Sequence, residues 1–435
     1  MISSVQLNQM IDRIGAYCPW YVRWVESLGK DRVDELKQLP LMTASVLEKY
    51  YYSADHPPNR LSGLNEYRTS GTSSGRRKVI YYSEADEEAY IKIKLDVFRT
   101  ILGSSSYQTA LADMGTGHAE ATAVQVFRRL GMKADSIHFS LPIEQHLARL
   151  ESFQPEVLYT MPSILDRILL SSEHPESYGI RHVILVGEMA PASWIRQAAD
   201  RLQISVDKIT DTYGSIEIGT LAYFSHQHGR YLLTEGLVAE GVGTEELLDE
   251  GGEPLPEQEQ VLVLTSTVRE AFPAIRYVTY DVVRDLRPVI VDGVERMSFQ
   301  SLVKRIGPDL KHGEKISIYD IEDVVNQHLG QLSSVRVHME GNSLKVIVYT
   351  PNHPGDSNEC SKTDGQQPAY DTKSMNRLLE TISQQLERRI PEIGAMISSG
   401  ILGRIQVISG SFHDEEQRSG VKHKKIYYDK TEGFQ

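Results

Sequence analysis

Between residues 110 and 212 the chain switches repeatedly between short apolar runs and apolar residues at helical spacing, and no other feature constrains its fold as much. Ala110-Leu-Ala-Asp-Met114 is a short run that stops at Gly115-Thr-Gly117. A helical pattern follows, with Val124, Phe127 and Leu130 on one face, and Gly131 stands where a glycine ends a helix. Residues 136–140 read as a second strand, and Ile143, Leu147, Leu150 and Phe153 then recur at helical spacing. Residues 156–160 are strand-like, and Pro162 opens a helix carrying Ile164, Leu165, Ile168 and Leu169. Residues 182–186 form a continuous apolar strand, 192–202 a helix, and 208–212 a strand again. Strands alternating with helices predict crossover connections and a largely parallel sheet covered on both faces. The fold class expected is α/β.

From about Tyr231 the helices drop out. Residues 261–265 and 274–279 read as strands, and Gly251-Gly-Glu-Pro-Leu-Pro256 is a turn-rich connection, so a β-rich subdomain is expected. A boundary at Lys304-Arg-Ile-Gly-Pro-Asp309 divides a large domain, 1–304, from a small mobile α+β domain, 305–435. In the latter, Val335/Val337/Met339 and Leu344/Val346/Val348 alternate on either side of Gly341-Asn342, the pattern of a β-hairpin. An amphipathic helix at 375–390 and a strand at 404–408 follow, with a polar surface loop at 352–373 between hairpin and helix.

Charge narrows the class of partner. Acidic residues outnumber basic ones 59 to 46, a formal net charge of −13, which disfavours nucleic acid and anionic membrane. Cys18 and Cys360 are the only cysteines, too few for a disulfide framework, so a reducing cytoplasmic compartment is expected. Asp12 and Arg13 interrupt the start before a signal-peptide core could form, and no stretch reaches the ~18 apolar residues of a membrane span.

Four segments carry candidate chemistry. In Tyr67-Arg-Thr-Ser-Gly-Thr-Ser-Ser-Gly-Arg-Arg-Lys-Val79, glycines let backbone N–H groups converge on an anion, hydroxyls add donors and cations offset phosphate charge. Arg76 stands where a Walker A loop needs glycine, and the run reads equally as a Ser/Gly surface turn. Asp211-Thr-Tyr-Gly-Ser-Ile-Glu217 follows a strand end, where open α/β sheets bind ligands; a tyrosine can stack on a base and a carboxylate can hold Mg²⁺. Ile275-Arg-Tyr-Val-Thr-Tyr-Asp281 ends on a carboxylate able to clamp two ribose hydroxyls, or on a plain exposed strand end. Ser419-Gly-Val-Lys-His-Lys-Lys425 is a glycine-flanked basic loop, or a solvated basic tail. His226-Gln-His228 lacks a metal-ligand set, Gly115-Thr-Gly117-His-Ala-Glu120 fails the dinucleotide fingerprint, and Trp20 and Trp24 read as core.

In this order the segments resemble the adenylate-forming superfamily, most closely its phenylacetate–CoA ligase-like branch, and the resemblance covers essentially the whole chain. It implies that Thr69, Ser70, Gly71, Thr72, Ser73, Ser74 and Gly75 form a phosphate loop and that Gly187 and Glu188 line an adenine pocket. It further implies that Asp211, Tyr213 and Gly214 belong to the aromatic motif, that Glu217 holds Mg²⁺ and that Asp281 and Tyr213 hold ribose and adenine. Arg305 falls at the hinge, about which the small domain would rotate, and Lys422 is the catalytic lysine, with Lys424 and Lys425 as alternatives. Three departures stand out: an extra residue in the phosphate loop, Ile216 in place of a hydroxyl residue, and Ser-Gly-Val-Lys in place of Ser-Gly-Lys.

The activity implied is ATP-dependent adenylation of a small carboxylic acid, expected to be aromatic, through an acyl-AMP. A thiol acceptor would follow, either coenzyme A or the phosphopantetheine of a carrier protein, as in aryl-acid activation for siderophores and other secondary metabolites. A homodimer is implied in the same way. Residues 114–119 and 159–163 are candidate pocket walls. The competing class is a non-catalytic nucleotide or acyl-adenylate binding protein of the same fold.

Overall fold

The apolar runs become neighbouring parallel strands because each is too apolar to leave either face in water. Thr109–Met114, Val157–Thr160 and His182–Val186 pair in parallel, with Ala110 opposite Val157 and Val157 opposite His182. The structure, a computed structural model, describes residues 2–27, 29, 33–53, 55, 58, 63–68, 78–114, 118–247, 254–306, 318–330, 333–340, 343–350, 372–398, 400, 402–403, 405–410 and 426–428. They group into two compact units: residues 1–108, 117–134 and 210–310, and residues 109–116, 135–209 and 311–435.

The second unit holds the parallel strands, and its helices Ile143–Phe153, Pro162–Ser171 and Ala192–Leu202 bury Leu150, Leu165, Ile168, Trp194 and Ala198 with Leu158 and Val183 of the sheet. Pro162 occupies the first turn of its helix, where the missing N–H costs nothing. The strand expected at 136–140 lies at Lys133–His138 instead, because the Ser140 backbone N–H turns back to His138 Nδ1 at 3.0 Å and ends it early.

Residues beyond 317 form the other half of this unit. The expected hairpin pairs Ser334–Glu340 with Ser343–Tyr349, and Gln406–Gly410 and Ile426–Tyr428 add in parallel on either side. Its alternating Val335, Val337, Leu344, Val346 and Val348 pack on Ile321 and Val325 of helix Ile318–Leu329 and on Leu379, Ile382 and Leu386 of helix Thr372–Arg389. The hairpin turn at 341–342 lies outside the described residues, as do residues 352–371 of the polar loop expected at 352–373, whose last two residues already belong to helix Thr372–Arg389.

The first unit is antiparallel where its strands meet. Ile209–Ser215, Gly219–Ser225 and Arg230–Leu233 pair in succession, and the hairpin Arg287–Val291/Val294–Phe299 continues the row. Its second sheet orders Leu237–Val242, Glu259–Ser266, Tyr277–Arg284 and Ser301–Arg305, all antiparallel. The parallel pairings described above, Thr109–Met114 with Val157–Thr160 and the latter with His182–Val186, join strands of the second unit. The strand expected at 274–279 begins only at Tyr277, because Arg276 adopts a left-handed φ of 51°.

Helix Glu84–Leu102 crosses this unit. Ser83 caps it, with Asp86 completing the reciprocal box. Asp86 also accepts from the backbone N–H groups of Glu270 and Ala271 and pairs with buried Arg269. That ties the helix start to the Arg269–Pro273 segment. Trp20 stacks on Tyr50 at 5.2 Å and is buried, in keeping with its reading as core. Among the described residues no helix is long and apolar enough to cross a membrane.

Candidate active site

Tyr213, Asp281 and Arg305, far apart in sequence, meet in the first unit. Tyr213 leaves the strand Ile209–Ser215 with its ring edge-on to Phe299 at 6.1 Å, and its Oη donates to Asp281 Oδ2 at 2.6 Å. Asp281 and Arg305 face each other across adjoining strands, with Arg305 Nε 3.8 Å from Asp281 Oδ1. Burial pushes the Asp281 carboxyl up, while Arg305 and the Tyr213 hydroxyl pull it back toward the ionised form. The neighbouring Tyr280 sits at φ 61°, a left-handed conformation rare for an aromatic residue and typical of places where a backbone is held for a purpose. The Arg305 side chain remains about two-thirds exposed.

Gly214 allows this turn to close, since a Cβ there would come 2.9 Å from the carbonyl oxygen of Gly219. Glu217 lies between the two strands of that hairpin. Arg269 Nε donates to its backbone carbonyl at 2.9 Å, whereas its carboxylate has no hydrogen bond among the described residues. The charge of that carboxylate, after burial, helps hold the Tyr52 and Tyr277 phenols above their usual range. Asp211 is different in kind. It is buried, accepts from Tyr231 Oη at 2.5 Å, and burial pushes its carboxyl up to about 7 against the pull of that hydroxyl and the Thr212 backbone.

Gly187 and Glu188 belong to the second unit. Gly187 takes φ 83°, and Glu188 accepts from the Ser163 backbone N–H and Oγ, both at 3.0 Å, at the start of helix Pro162–Ser171. Thr69, Ser70, Gly71, Thr72, Ser73, Ser74 and Gly75 lie outside the described residues, as do Lys422, Lys424 and Lys425. Of the pocket walls at 114–119, residues 115–117 are also outside, and among the described residues no cluster of His, Cys, Asp or Glu could hold a metal by itself.

One group of side chains escaped the sequence reading. His118, the first residue of helix His118–Arg129, places Nε2 2.5 Å from Glu87 Oε2, and Tyr67 Oη donates to Glu87 Oε1 at 2.6 Å. The rings of Tyr67, Tyr82 and Tyr90 surround the imidazole at 4.3, 4.7 and 4.1 Å. Tyr82 Oη donates to the Ile216 carbonyl at 2.7 Å, and a Cβ on Gly219 would meet the Tyr90 ring at 2.7 Å. This box is therefore packed directly against the turn that carries Glu217. A histidine just past a strand end hinted at it, but nothing in the sequence announced Glu87 as its partner.

The fold defined by these elements is that of adenylate-forming ligases. A crystal structure of 2-hydroxyisobutyryl-CoA ligase in the postadenylation state, in complex with R3-HIB-AMP, superposes with a TM-score of 0.72 over 98% of this chain and 88% of that one, at 14% identity. The family model described as the fumarate–diaminopropanoate ligase C-terminal domain matches residues 311–367 and 369–413. Fumarate–(S)-2,3-diaminopropanoate ligase of Enterobacter agglomerans is 32% identical over 405 residues, 93% of this chain and 94% of that protein. Phenylacetate-coenzyme A ligase of Thermus thermophilus is 23% identical over 304 residues, 64% of each chain. The chain belongs to the adenylate-forming ligase superfamily, and its activity runs through an acyl-AMP.

Proposed function

We propose that this chain adenylates a small carboxylic acid with ATP and passes the acyl group to an amine, forming an amide. The observation that carries this reading is its 32% identity, across 93% of its length, to a ligase named for joining fumarate to a diamino acid. The two half-reactions balance simply. A carboxylate oxygen attacks the α-phosphorus of ATP and pyrophosphate leaves; the amine nitrogen then attacks the acyl carbonyl and AMP leaves with the electrons of the broken C–O bond.

The residues divide the work by charge. Asp281 offers two acceptor oxygens to the ribose hydroxyls, and Tyr213 sets an aromatic face beside them. Arg305, the loop Thr69–Gly75 and Lys422 offset phosphate charge as it develops in the transition state. Mg²⁺ is commonly held by one or two carboxylates together with substrate phosphates, and the half-buried carboxylate of Glu217, which has no hydrogen bond among the described residues, fits that demand. When bound, the ion supplies further neutralisation between the two anionic reactants.

ATP–pyrophosphate exchange tests the first half-reaction, with fumarate, other small dicarboxylic acids and aromatic acids as the panel. Asp281→Ala should raise the KM for ATP by ~10–100-fold, the size of a lost charge-assisted hydrogen bond. Lys422→Ala should stop acyl-AMP formation and leave transfer from supplied acyl-AMP in place. Equal loss of both halves would remove that assignment.

A second reading is the acid–thiol ligase, with an aromatic acid and coenzyme A or a carrier protein as acceptor. Its support is the 23% identity to phenylacetate-coenzyme A ligase. Product analysis separates the two: amide with 2,3-diaminopropanoate, or thioester with coenzyme A. No exchange with any acid, despite ATP binding, would favour a non-catalytic binding protein.

A further inference from the structure

An amine that attacks an acyl-AMP must shed a proton, and the described residues hold one imidazole suited to take it. Glu87 accepts from Asn65 Nδ2 at 3.2 Å and Tyr67 Oη at 2.6 Å on one oxygen and faces His118 Nε2 at 2.5 Å with the other. That arrangement fixes which nitrogen carries the shared proton and leaves Nδ1 of His118 with no hydrogen-bond partner among the described residues. The ring is 9% exposed and boxed by three tyrosines, so bulk water has little access to it. Through Tyr82 and Tyr90 the box is braced against the 215–219 turn, whose Glu217 carbonyl is pinned by Arg269.

We propose that His118 is the general base for the acyl-acceptor amine and that Glu87 is its positioning residue. The proposal rests on the amine-acceptor reading above and deepens it. The amine nitrogen forms its bond to the acyl carbon, the C–O bond to AMP breaks, AMP leaves with that electron pair, and the nitrogen's proton goes to His118 Nδ1. Glu87 then balances the imidazolium that results. A carboxylate–imidazole pair in which the far nitrogen stays open is the arrangement general bases use.

The groups facing the pair all bear on its pH response. Tyr67 comes from strand Asn65–Arg68 and Tyr82 from strand Val79–Tyr82, with the Arg269 guanidinium 3.7 Å over the Tyr82 ring. Glu87, Tyr90 and Lys94 come from helix Glu84–Leu102. Lys94 Nζ donates to the Ala119 carbonyl at 2.8 Å and to Thr122 Oγ1 at 3.2 Å, and burial lowers its ammonium to about 7. For Glu87, burial pushes upward, but hydrogen bonds from His118 and Tyr67 outweigh it and hold the carboxyl below its ordinary value.

Separate half-reactions make the test sharp. Purified full-length wild type, His118→Gln and Glu87→Gln are supplied with ATP, Mg²⁺ and fumarate, and the acyl-AMP is drawn off either with 2,3-diaminopropanoate or with hydroxylamine. Hydroxylamine is largely unprotonated at neutral pH and needs little help from a base. In His118→Gln the ratio of amide to hydroxamate should fall by ~10²–10⁴, the usual range for a positioned base. In Glu87→Gln the amide rate should fall less and its rise with pH should move, while the hydroxamate rate shows no such movement. An unchanged ratio in His118→Gln would overturn the inference, and a matched loss of both products would mark His118 as an acid-binding residue instead. In wild type, hydroxamate without amide from any amine would remove the amine-acceptor reading, and no hydroxamate from any acid would remove adenylation itself.

Discussion

Two histidine–carboxylate pairs of similar spacing are held differently in this protein. Glu87–His118 lies in the first unit at 2.5 Å, Asp113–His146 in the second at 2.8 Å. His146 faces Asp113 with Nδ1 and the Leu141 carbonyl with Nε2 at 3.2 Å, so both its nitrogens are committed. Among the described residues His118 has one nitrogen committed and one left over. Asp113 is wholly buried, and burial raises its carboxyl against the pull of His146 and Arg167, whereas Glu87 is partly exposed and supported by two further donors. The difference lies in the partner of the second nitrogen rather than in the pairing itself, and that is what the proposal for His118 turns on.

The largest expected effect breaks the buried pair. His146→Ala should cost about 3 kcal/mol or more, because it leaves the buried Asp113 carboxyl without its hydrogen-bond partner. His118→Ala should cost less than about 2 kcal/mol, since Glu87 keeps Tyr67 and Asn65. Urea unfolding of both variants checks the contrast, and equal losses would erase it.

Asp211 extends the comparison to a buried carboxylate whose partner is a neutral hydroxyl. With its folded value raised to about 7, the native state keeps a proton that the unfolded chain has already lost. Wild-type stability should therefore fall as pH climbs from about 4 to about 7, by at most about 4 kcal/mol at about 1.4 kcal/mol per unit, and level off above. Asp211→Asn should flatten that slope, so thermal midpoints of variant and wild type should diverge in the variant's favour between pH 5 and pH 8.

Lys94 gives the opposite case, a buried cation held by a carbonyl and a hydroxyl. Its folded value is lowered to about 7, so the native state sheds its proton earlier than the unfolded chain. Stability should rise from about pH 7 toward pH 10. Lys94→Met should remove that rise and change stability at neutral pH by no more than about 1 kcal/mol, because the alkyl stem can be replaced in kind. A loss several times larger would show that the ammonium is needed where it sits.

Much of the fold could be read from the residues because burial on both faces enforces continuous apolar runs and helices enforce their own spacing. The runs at 110–114, 157–160 and 182–186, the helix Ala192–Leu202 and the hairpin around 335–348 all follow that rule. The hairpin Arg287–Val291/Val294–Phe299 did not show itself, since Ile290 and Val294 are exposed and no face demanded an apolar pattern.

The motif order from Thr69 to Lys422 placed the chain in its superfamily; local chemistry pointed to Tyr213, Glu217 and Asp281, and the family resemblance pointed to Arg305. Sequence alone determined the superfamily because each motif needs residue types at a spacing its neighbours preserve. Only tertiary structure decided that Asp211 turns inward to Tyr231 while Asp281 meets Arg305, and that Glu87 meets His118 across 31 positions. Charge and proton affinity depend on what lies within a few ångströms in space, and helix packing, unlike strand alternation, leaves no trace of that in the order of residues.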